Sequence, residues 1–448
     1  MTPFVLGSLF HVDRLALIMM GLVAFIGLCV GSFARHYLKG DSYYRSFFGR
    51  LTLLVGTVMV MVSADNLLLL LLAWCASNAL LVQLMMHKTG WRAARAAGVL
   101  ASRNFALGAA GVAGAFGLFY ATTGQASIQA VLQEPALTPP LLLALGLLLI
   151  GAMTQSAIWP FHRWLLSSLN SPTPVSAIMH AGLINGGGFL LARFAPLYLR
   201  SPDLLTVLVV LGFLTALLGT LWKLMQPDVK RMLACSTMGQ MGFMFVQCGL
   251  GLFPAAVAHL VWHGLFKAYL FLSSGSAAKE KRVDQAYPPT AVAFVAALAC
   301  GLAGSFSFAA ASGKQWLATD STLVLIAVAF LTTSQFALPL LQVRPLHQLP
   351  GALLGASLFG LVYGGSVQLI GWLLAPLNLQ QPQPLSAYHV AGLLALTLAW
   401  LTRLFFSGQP KDKESSTPNW LLKGYVQALN ASQPHPATIT THRNQYHF

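Results

Sequence analysis

From residue 14 to residue 407 the sequence is a succession of apolar runs separated by short polar loops. A hydrocarbon core about 30 Å thick is crossed by roughly 20 residues of α-helix, in which every backbone polar group finds a partner within the segment. Only 8% of the residues are charged, against about 25% in soluble domains. The pattern therefore predicts an all-α, polytopic transmembrane helical bundle over residues 1–407, followed by a polar cytoplasmic tail at 408–448.

Divided at that length, the sequence predicts about thirteen spans. They lie near 14–34, 45–64, 66–87, 95–120, 138–158, 172–195, 203–224, 230–250, 254–275, 288–310, 321–342, 350–375 and 387–407. Pro160, Pro172, Pro174 and Gly186–Gly188 lower the helix propensity around the sixth span. We therefore expect a broken helix near 172–190, of the kind that often marks an ion pathway in membrane proteins.

The basic loop residues predict the orientation of the bundle. One side of the predicted bundle carries Arg35, Lys39, Arg45, Arg50, Lys88, Arg92, Arg95, Arg163, Lys230, Arg231, Lys279, Lys281, Arg282, Arg344 and the tail; the other carries Arg14, Arg193, Arg200 and Lys314. The positive-inside rule then places the C-terminus in the cytoplasm and the N-terminus outside. Because these charges lie in short loops between spans, we expect lipid, and not nucleic acid, as their surroundings.

The candidate functional residues are bases within apolar runs, since an ionisable side chain in the bilayer is costly and rarely incidental. His259, His263 and Lys267 follow one another at steps of four, so they share one helix face at intervals of about 6 Å along the axis. Histidine titrates near neutrality, and such a file can pass protons through hydrogen bonds or water. Interhelical hydrogen bonds that merely hold the bundle together are the open alternative.

Other polar residues extend this set. His180 follows the predicted break and is expected to face inward, whereas Lys223 lies near a span end, where it joins the pathway or snorkels to the interface. Arg103 is deeper and needs a carbonyl, a water or a partner's acid. Arg103 and Asp228 are therefore candidates for partner or pathway contact.

No metal site is expected in this chain. The third group on the face of His259 and His263 is a lysine, and no carboxylate lies in the middle of a predicted span. The five cysteines lie in apolar stretches without a CxxC pair, so neither a zinc knuckle nor a disulfide framework is predicted.

Four motifs in order resemble the antiporter-like subunits of respiratory complex I (NuoL type) and of Mrp cation/proton antiporters (MrpA type). They are SADNLLLLLLAW at 63–74, WPFHRWL with SPTPVSAIMHAG within 159–182, DVKRMLACSTMGQMGFMF at 228–245 and HLVWHGLFKAYLFLSSGS at 259–276. The resemblance implies a broken helix beside a central hydrophilic axis. It also matches His180, His259, His263 and Lys267 to the family's axis histidines and central lysine.

Two departures separate this chain from that family. After Trp74 the family has a glutamate where this chain has Cys75, and the family's partner lysine is replaced by Gln155. The Glu–Lys couple is absent as a unit, so neither half is left as an unpaired buried charge. Near Arg103 the family often has an aspartate, where this chain has Ala106 or its neighbours.

A shortened member with these losses is most similar to the DabB family of membrane subunits in inorganic-carbon transporters. We expect the chain to begin at the antiporter family's third helix and to lack its long lateral C-terminal helix. The resemblance implies a cation gradient, of protons in the first place, coupled to CO2 hydration on a large soluble DabA-type zinc partner. Zinc on that partner would activate water. This chain would be a transporter subunit of the bacterial inner membrane, without a cofactor of its own and not an enzyme.

Two other functions fit part of the sequence. A proton-pumping subunit of complex I, an Mrp complex or a membrane hydrogenase fits the motifs but not the lost Glu–Lys couple. A non-conducting membrane anchor for a soluble enzyme fits the lost couple but not the file of His259, His263 and Lys267.

Overall fold

The computed structural model describes residues 9–279, 288–342, 344–406 and 419–439, and its regular structure is helical. The α-helices are α1 (Arg14–Tyr37), α2 (Tyr44–Ser63), α3 (Leu67–Met85), α4 (Arg92–Thr123), α5 (Ile128–Leu132), α6 (Pro139–Gln155), α7 (Arg163–Leu166), α8 (Thr173–Ala181), α9 (Gly186–Arg193), α10 (Ala195–Tyr198), α11 (Pro202–Met225), α12 (Val229–Gly249), α13 (Phe253–Leu272), α14 (Ala291–Ala311), α15 (Thr322–Leu341), α16 (Pro345–Leu374), α17 (Ala387–Phe406) and α18 (Asn419–Ala431). The predicted all-α bundle is confirmed.

Helices occupy all thirteen stretches predicted to span the membrane. Eleven helical segments in the described chain are long and apolar enough to cross a bilayer, counting α8 and α9 as one. Of the other two, α6 is apolar but has only 17 residues, and α12 carries the polar sequence CSTMGQ in its middle. The count of thirteen crossings and the orientation of the termini stay predictions. We call the face that holds Tyr37, Met85, Met225 and Val229 the predicted cytoplasmic face.

Small residues bring neighbouring helices into backbone contact, as is common where apolar side chains gain little by leaving lipid. A Cβ added to Gly219 of α11 would lie 2.4 Å from the backbone nitrogen of Gly239 in α12. One added to Gly212 would lie 2.7 Å from the carbonyl oxygen of Gly242. The two helices therefore form a rigid antiparallel pair beside the broken span.

The predicted break near 172–190 is confirmed, but its local causes differ from those expected. Helix α8 ends at Ala181, a 3₁₀ turn covers Leu183–Asn185, and α9 begins at Gly186. Pro172 and Pro174 lie at the start of α8, where proline is tolerated because the first helical N–H groups have no intrahelical partner. They begin a helix and do not break one.

Gly186–Gly188 lie inside α9, after the break. A Cβ on Gly187 would lie 2.4 Å from the carbonyl oxygen of Ala152 in α6, and one on Gly188 would lie 2.8 Å from the sulfur of Met244 in α12. These glycines therefore let α9 pack tightly between α6 and α12, a role that propensity alone does not indicate.

Part of the predicted tail folds back onto the bundle. Helix α18 and a turn at Pro436–Thr438 lie within 419–439. Residues 407–418 and 440–448 of the tail, and the basic loop residues Lys281 and Arg282, lie outside the described residues. The division of the chain into 1–407 and 408–448 stays a prediction.

Candidate ion pathway

Three buried bases line one face of α13, as their spacing predicts. His259, His263 and Lys267 are 6%, 5% and 1% exposed. The ring centroids of His259 and His263 lie 6.2 Å apart. This face of α13 packs against α8 and α12, so the three bases are enclosed by protein on the α12 side of the break.

His180 joins the same cluster from α8. Its ring stacks on Phe271 with centroids 4.3 Å apart, and its Nδ1 lies 3.0 Å from the hydroxyl oxygen of Thr237. The Nε2 of His263 lies 3.3 Å from the carbonyl oxygen of His180. Because a carbonyl only accepts, Nε2 of His263 carries the proton in this contact.

One backbone carbonyl connects this cluster to Lys267. The carbonyl oxygen of Leu233 in α12 accepts from Nζ of Lys267 (3.2 Å) and from the Thr237 hydroxyl (3.0 Å). Since the hydroxyl gives its only proton to Leu233, the contact with His180 requires a proton on Nδ1. Lys267, Leu233, Thr237 and the ring of His180 therefore form one hydrogen-bonded set. His263 joins it through the backbone carbonyl of His180, and the ring of His259 lies beyond His263.

The cluster is basic and lacks acidic partners. The two ion pairs among the described residues are Arg193–Asp13 and His87–Asp41, and neither is in it. Nδ1 of the buried His263 has no hydrogen-bond partner within the described chain. The nitrogen without a partner can accept a proton or a water, which suits a relay.

The other side of the break is neutral and hydrogen-bonded. Gln155 donates from Nε2 to the carbonyl of Leu183 (3.1 Å), and the Ser156 hydroxyl donates to that of Ile184 (2.8 Å). Asn185 Nδ2 donates to the carbonyl of Ala181 (2.9 Å). Uncharged side chains thus satisfy the carbonyls that the break leaves outside a regular helix, as membrane depth requires.

Besides Gln155, four of the sequence-predicted site residues lie outside the basic cluster. Cys75, Arg103, Lys223 and Asp228 are all exposed. Cys75 is exposed on α3, so the position of the family's glutamate does not face the buried bases in this chain. Asp228 caps α12 by accepting from the backbone N–H of Arg231, which gives it a structural role. The structure does not bring Lys223 into the buried file, and its part in translocation stays a prediction.

Sequence reasoning missed the residues that connect the bases. Thr237, the carbonyl of Leu233, Ser156 and Asn185 carry no charge and have no spacing that separates them from ordinary helix residues. It also missed the pair of Arg193 and Asp13, whose side chains are 4% and 6% exposed. Within the described chain no group of three or more His, Cys, Asp or Glu residues could hold a metal ion.

Comparison with known proteins places this bundle in a family. The model of the family described as NADH:quinone oxidoreductase/Mrp antiporter, TM, matches residues 64–294, and that described as NADH-Ubiquinone oxidoreductase (complex I), chain 5 N-terminus, matches residues 2–48. "Probable inorganic carbon transporter subunit DabB1" of Halothiobacillus neapolitanus is 40% identical over 291 residues, 63% of this chain and 52% of that protein.

Two further relatives agree with this placement. NADH-quinone oxidoreductase subunit L of Pseudomonas aeruginosa is 36% identical over 275 residues, 59% of this chain and 44% of that protein. Among solved structures, a chain of the Mrp complex from Dietzia sp. has the same fold, with a TM-score of 0.58 at 22% identity over 94% of this chain and 48% of that one. The chain spans about half the length of the curated relatives it matches.

Proposed function

The chain belongs to the NADH:quinone oxidoreductase/Mrp antiporter membrane family, and from this premise we propose that it is the proton-translocating subunit of an inorganic-carbon accumulation complex. Its route runs from Lys267 past His180 and His263 to His259. The partner is a large soluble zinc protein of the DabA type, on which CO2 is hydrated, and the complex lies in a bacterial inner membrane. That transport assignment draws support from the resemblance to DabB proteins.

One observation carries the proposal: titratable side chains on α8 and α13 are joined through Thr237 and Leu233 of α12. Because the Leu233 carbonyl only accepts, a proton leaving Lys267 would reach Nε2 of His180 through water, and the imidazoles of His263 and His259 follow. Each imidazole accepts at one nitrogen and releases from the other. No carboxylate is needed for such a relay, because the charge moves among bases.

We assign the zinc chemistry to the partner subunit, where a bound zinc ion would activate water for CO2 hydration. Among the described residues of this chain, no group of three or more His, Cys, Asp or Glu residues could hold a metal ion. In this scheme protons moving down their gradient through this chain drive one-way hydration on the partner. The alternative of a non-conducting anchor draws on the neutral side of the break, where Gln155 and Ser156 leave no charge to move.

The proposal is tested by replacing Thr237, the uncharged residue that contacts both His180 and Leu233. Thr237→Val keeps the shape of the side chain but removes the contacts of its hydroxyl with His180 and Leu233, and we expect proton-driven carbon uptake to fall by about 10²-fold, the scale of a lost proton-transfer contact. Thr333→Val is the matched control, since Thr333 is equally buried in α15 and bonds only to nearby backbone carbonyls. Uptake that survives Thr237→Val in an intact complex would favour the anchor.

The partner is identified separately by affinity purification of the intact complex from native membranes. A large co-purifying zinc protein supports the inorganic-carbon assignment. Recovery of quinone-reductase, Mrp or hydrogenase subunits would overturn it and leave the proton route to be tested in that other complex.

A further inference from the structure

A small internal cavity lies on the neutral side of the break, between α1, α2, α3 and α6. It measures about 10 Å³ and is lined by Met61, Trp74, Gln155, Gly182 and Phe189, among others. That volume admits about one water molecule. We call it the front cavity.

Two polar atoms at the front cavity lack partners within the described chain: Nε1 of Trp74 and Oε1 of Gln155. Their residues are 1% and 3% exposed. Leaving a buried donor or acceptor unmet costs about 1–3 kcal/mol. An indole N–H only donates and an amide oxygen only accepts, so one molecule that both accepts and donates satisfies both.

We propose that the front cavity binds one ordered water, which accepts from Trp74 and donates to Gln155. The other hydrogen-bonding group of Gln155, Nε2, already holds Leu183 at the break. The water would thus connect α3 to the break by neutral hydrogen bonds. Trp74 directly precedes the position of the family's glutamate, and Gln155 occupies the position of its lysine. A cation does not fit, because the indole N–H would point at it.

Hydroxyl-radical footprinting of the full chain in nanodiscs tests this site, since radicals formed from bound water oxidise neighbouring methionines. Met61 lines the cavity, whereas Met153 is as buried but does not. We expect Met61 to be oxidised several-fold faster than Met153, and Gln155→Met and Trp74→Phe each to remove the difference in folded protein. Equal protection of both methionines in the wild type, or a difference unchanged by both variants, would overturn the proposal.

A second inference rests on different contacts, those of residues 432–439, which we call the C-terminal strap. Four hydrogen bonds tie it to the predicted cytoplasmic face: Gln226 Nε2 donates to Ser432 Oγ (2.9 Å), Arg231 to Gln433 Oε1 (3.2 Å), the backbone N–H of His435 to Ser167 Oγ (2.9 Å) and Asn170 Nδ2 to the carbonyl of Thr438 (2.8 Å). Ser432 and Thr438 are 1% and 5% exposed. The strap therefore bridges the loop before α8 and the turn between α11 and α12.

A small apolar cluster lies at the elements that the strap joins. It contains Leu166, Trp222, Cys235 and Met238. Cys235 is fully buried and lies within electrostatic range of Lys267. The strap thus binds α12 at Arg231, about one helical turn from Cys235 and on the predicted cytoplasmic side of Lys267.

We infer that the strap is a removable cover over the approach to Lys267, closed in this structure and opened when its four hydrogen bonds are released. The inference deepens the proposed function, because opening the cover would admit water to Lys267 from that face. The strap is tested by cysteine labelling and not by transport, so a failure of the strap inference can be distinguished from a failure of the proposed function.

Native cysteines report the state of the cover in the full chain. Ser432→Glu places a charge at a buried anchor, and deletion of 432–439 removes the strap; we expect both to raise maleimide labelling of Cys235 about tenfold through the loss of hydrogen bonds. Cys248, equally buried but in the outer half of α12, must stay unlabelled and reports that the bundle is folded. Gln427→Glu on the exposed face of α18 is the control. Unchanged labelling of Cys235 in both strap variants would overturn the inference.

Discussion

The two sides of the broken span differ in the kind of polar side chain they carry, neutral or ion-paired on one side and titratable without an acidic partner among the described residues on the other. Towards α6 and α1, Gln155, Ser156 and Arg193 hold backbone carbonyls or an acid. Towards α12 and α13, Lys267 donates a hydrogen bond to one backbone carbonyl, and one ring nitrogen of His263 has no partner within the described chain. The first side holds the backbone carbonyls of the break, and the second carries the groups that can take up and release protons. Stability and proton movement are thus assigned to opposite sides of one interrupted helix.

The largest expected loss of stability comes from the fixed side. Arg193→Met leaves Asp13 buried without its partner, and breaking such a pair from one side costs about 3–5 kcal/mol. The thermal unfolding temperature of the purified protein measures the loss. Arg193→Met with Asp13→Asn is the control and should recover most of it. Full stability of the single variant would show that the pair does not hold the break.

His162, below the end of α18, is an acid-sensitive group outside both sides of the break. Its titration shows whether pH affects the stability of the fold independently of the proton route. Burial lowers the pKa of His162 from 6.5 to about 4, and its ring packs 4.8 Å from that of Trp222. Because the unfolded chain binds this proton more readily, stability is complete above about pH 6.5 and is lost as the pH falls towards 4.

At pH 5 this loss amounts to about 2 kcal/mol, at 1.36 kcal/mol for each pH unit. Unfolding temperatures between pH 7 and pH 4.5 measure it, and His162→Phe should flatten that part of the curve. A variant with the same acid sensitivity as the wild type would place the sensitive group elsewhere.

The smallest predicted effect sharpens the comparison most. Gln155→Leu removes one hydrogen bond to the carbonyl of Leu183, which still accepts from the backbone N–H of Gly186. We expect a loss of about 1 kcal/mol of stability with unchanged proton transport. Parallel measurement of unfolding and proton flux tests both halves of this statement. Impaired flux in a stable variant would place Gln155 on the route.

The sequence predicted those features that repeat along one helix. Apolar runs predicted the helices, and steps of four predicted the face shared by His259, His263 and Lys267. Features that join distant helices escaped it. Thr237 meets His180 across 57 positions and Arg193 meets Asp13 across 180, and no local pattern encodes either contact.

The expected role of the prolines in the break was wrong, and the cause is again the position of the residues in the folded chain. Pro172 and Pro174 were expected to interrupt a helix, but their position at its start makes them compatible with it. Lys223 was expected to join the pathway or to snorkel to the interface; its side chain is exposed, and its part in translocation stays a prediction. Helical periodicity predicts which residues share one face of a helix. Which other helix packs against that face depends on tertiary packing.

The most direct test of the division between the two sides is proton flux into proteoliposomes containing the purified complex with its partner. Lys267→Met, Gln155→Met and Lys223→Met are compared at equal folded amounts under one imposed pH gradient. The account predicts that Lys267→Met abolishes the flux, while the other two keep it within about twofold, since neither removes a proton-transfer contact of the buried file. Flux that survives Lys267→Met, or that is lost in Gln155→Met, would contradict it.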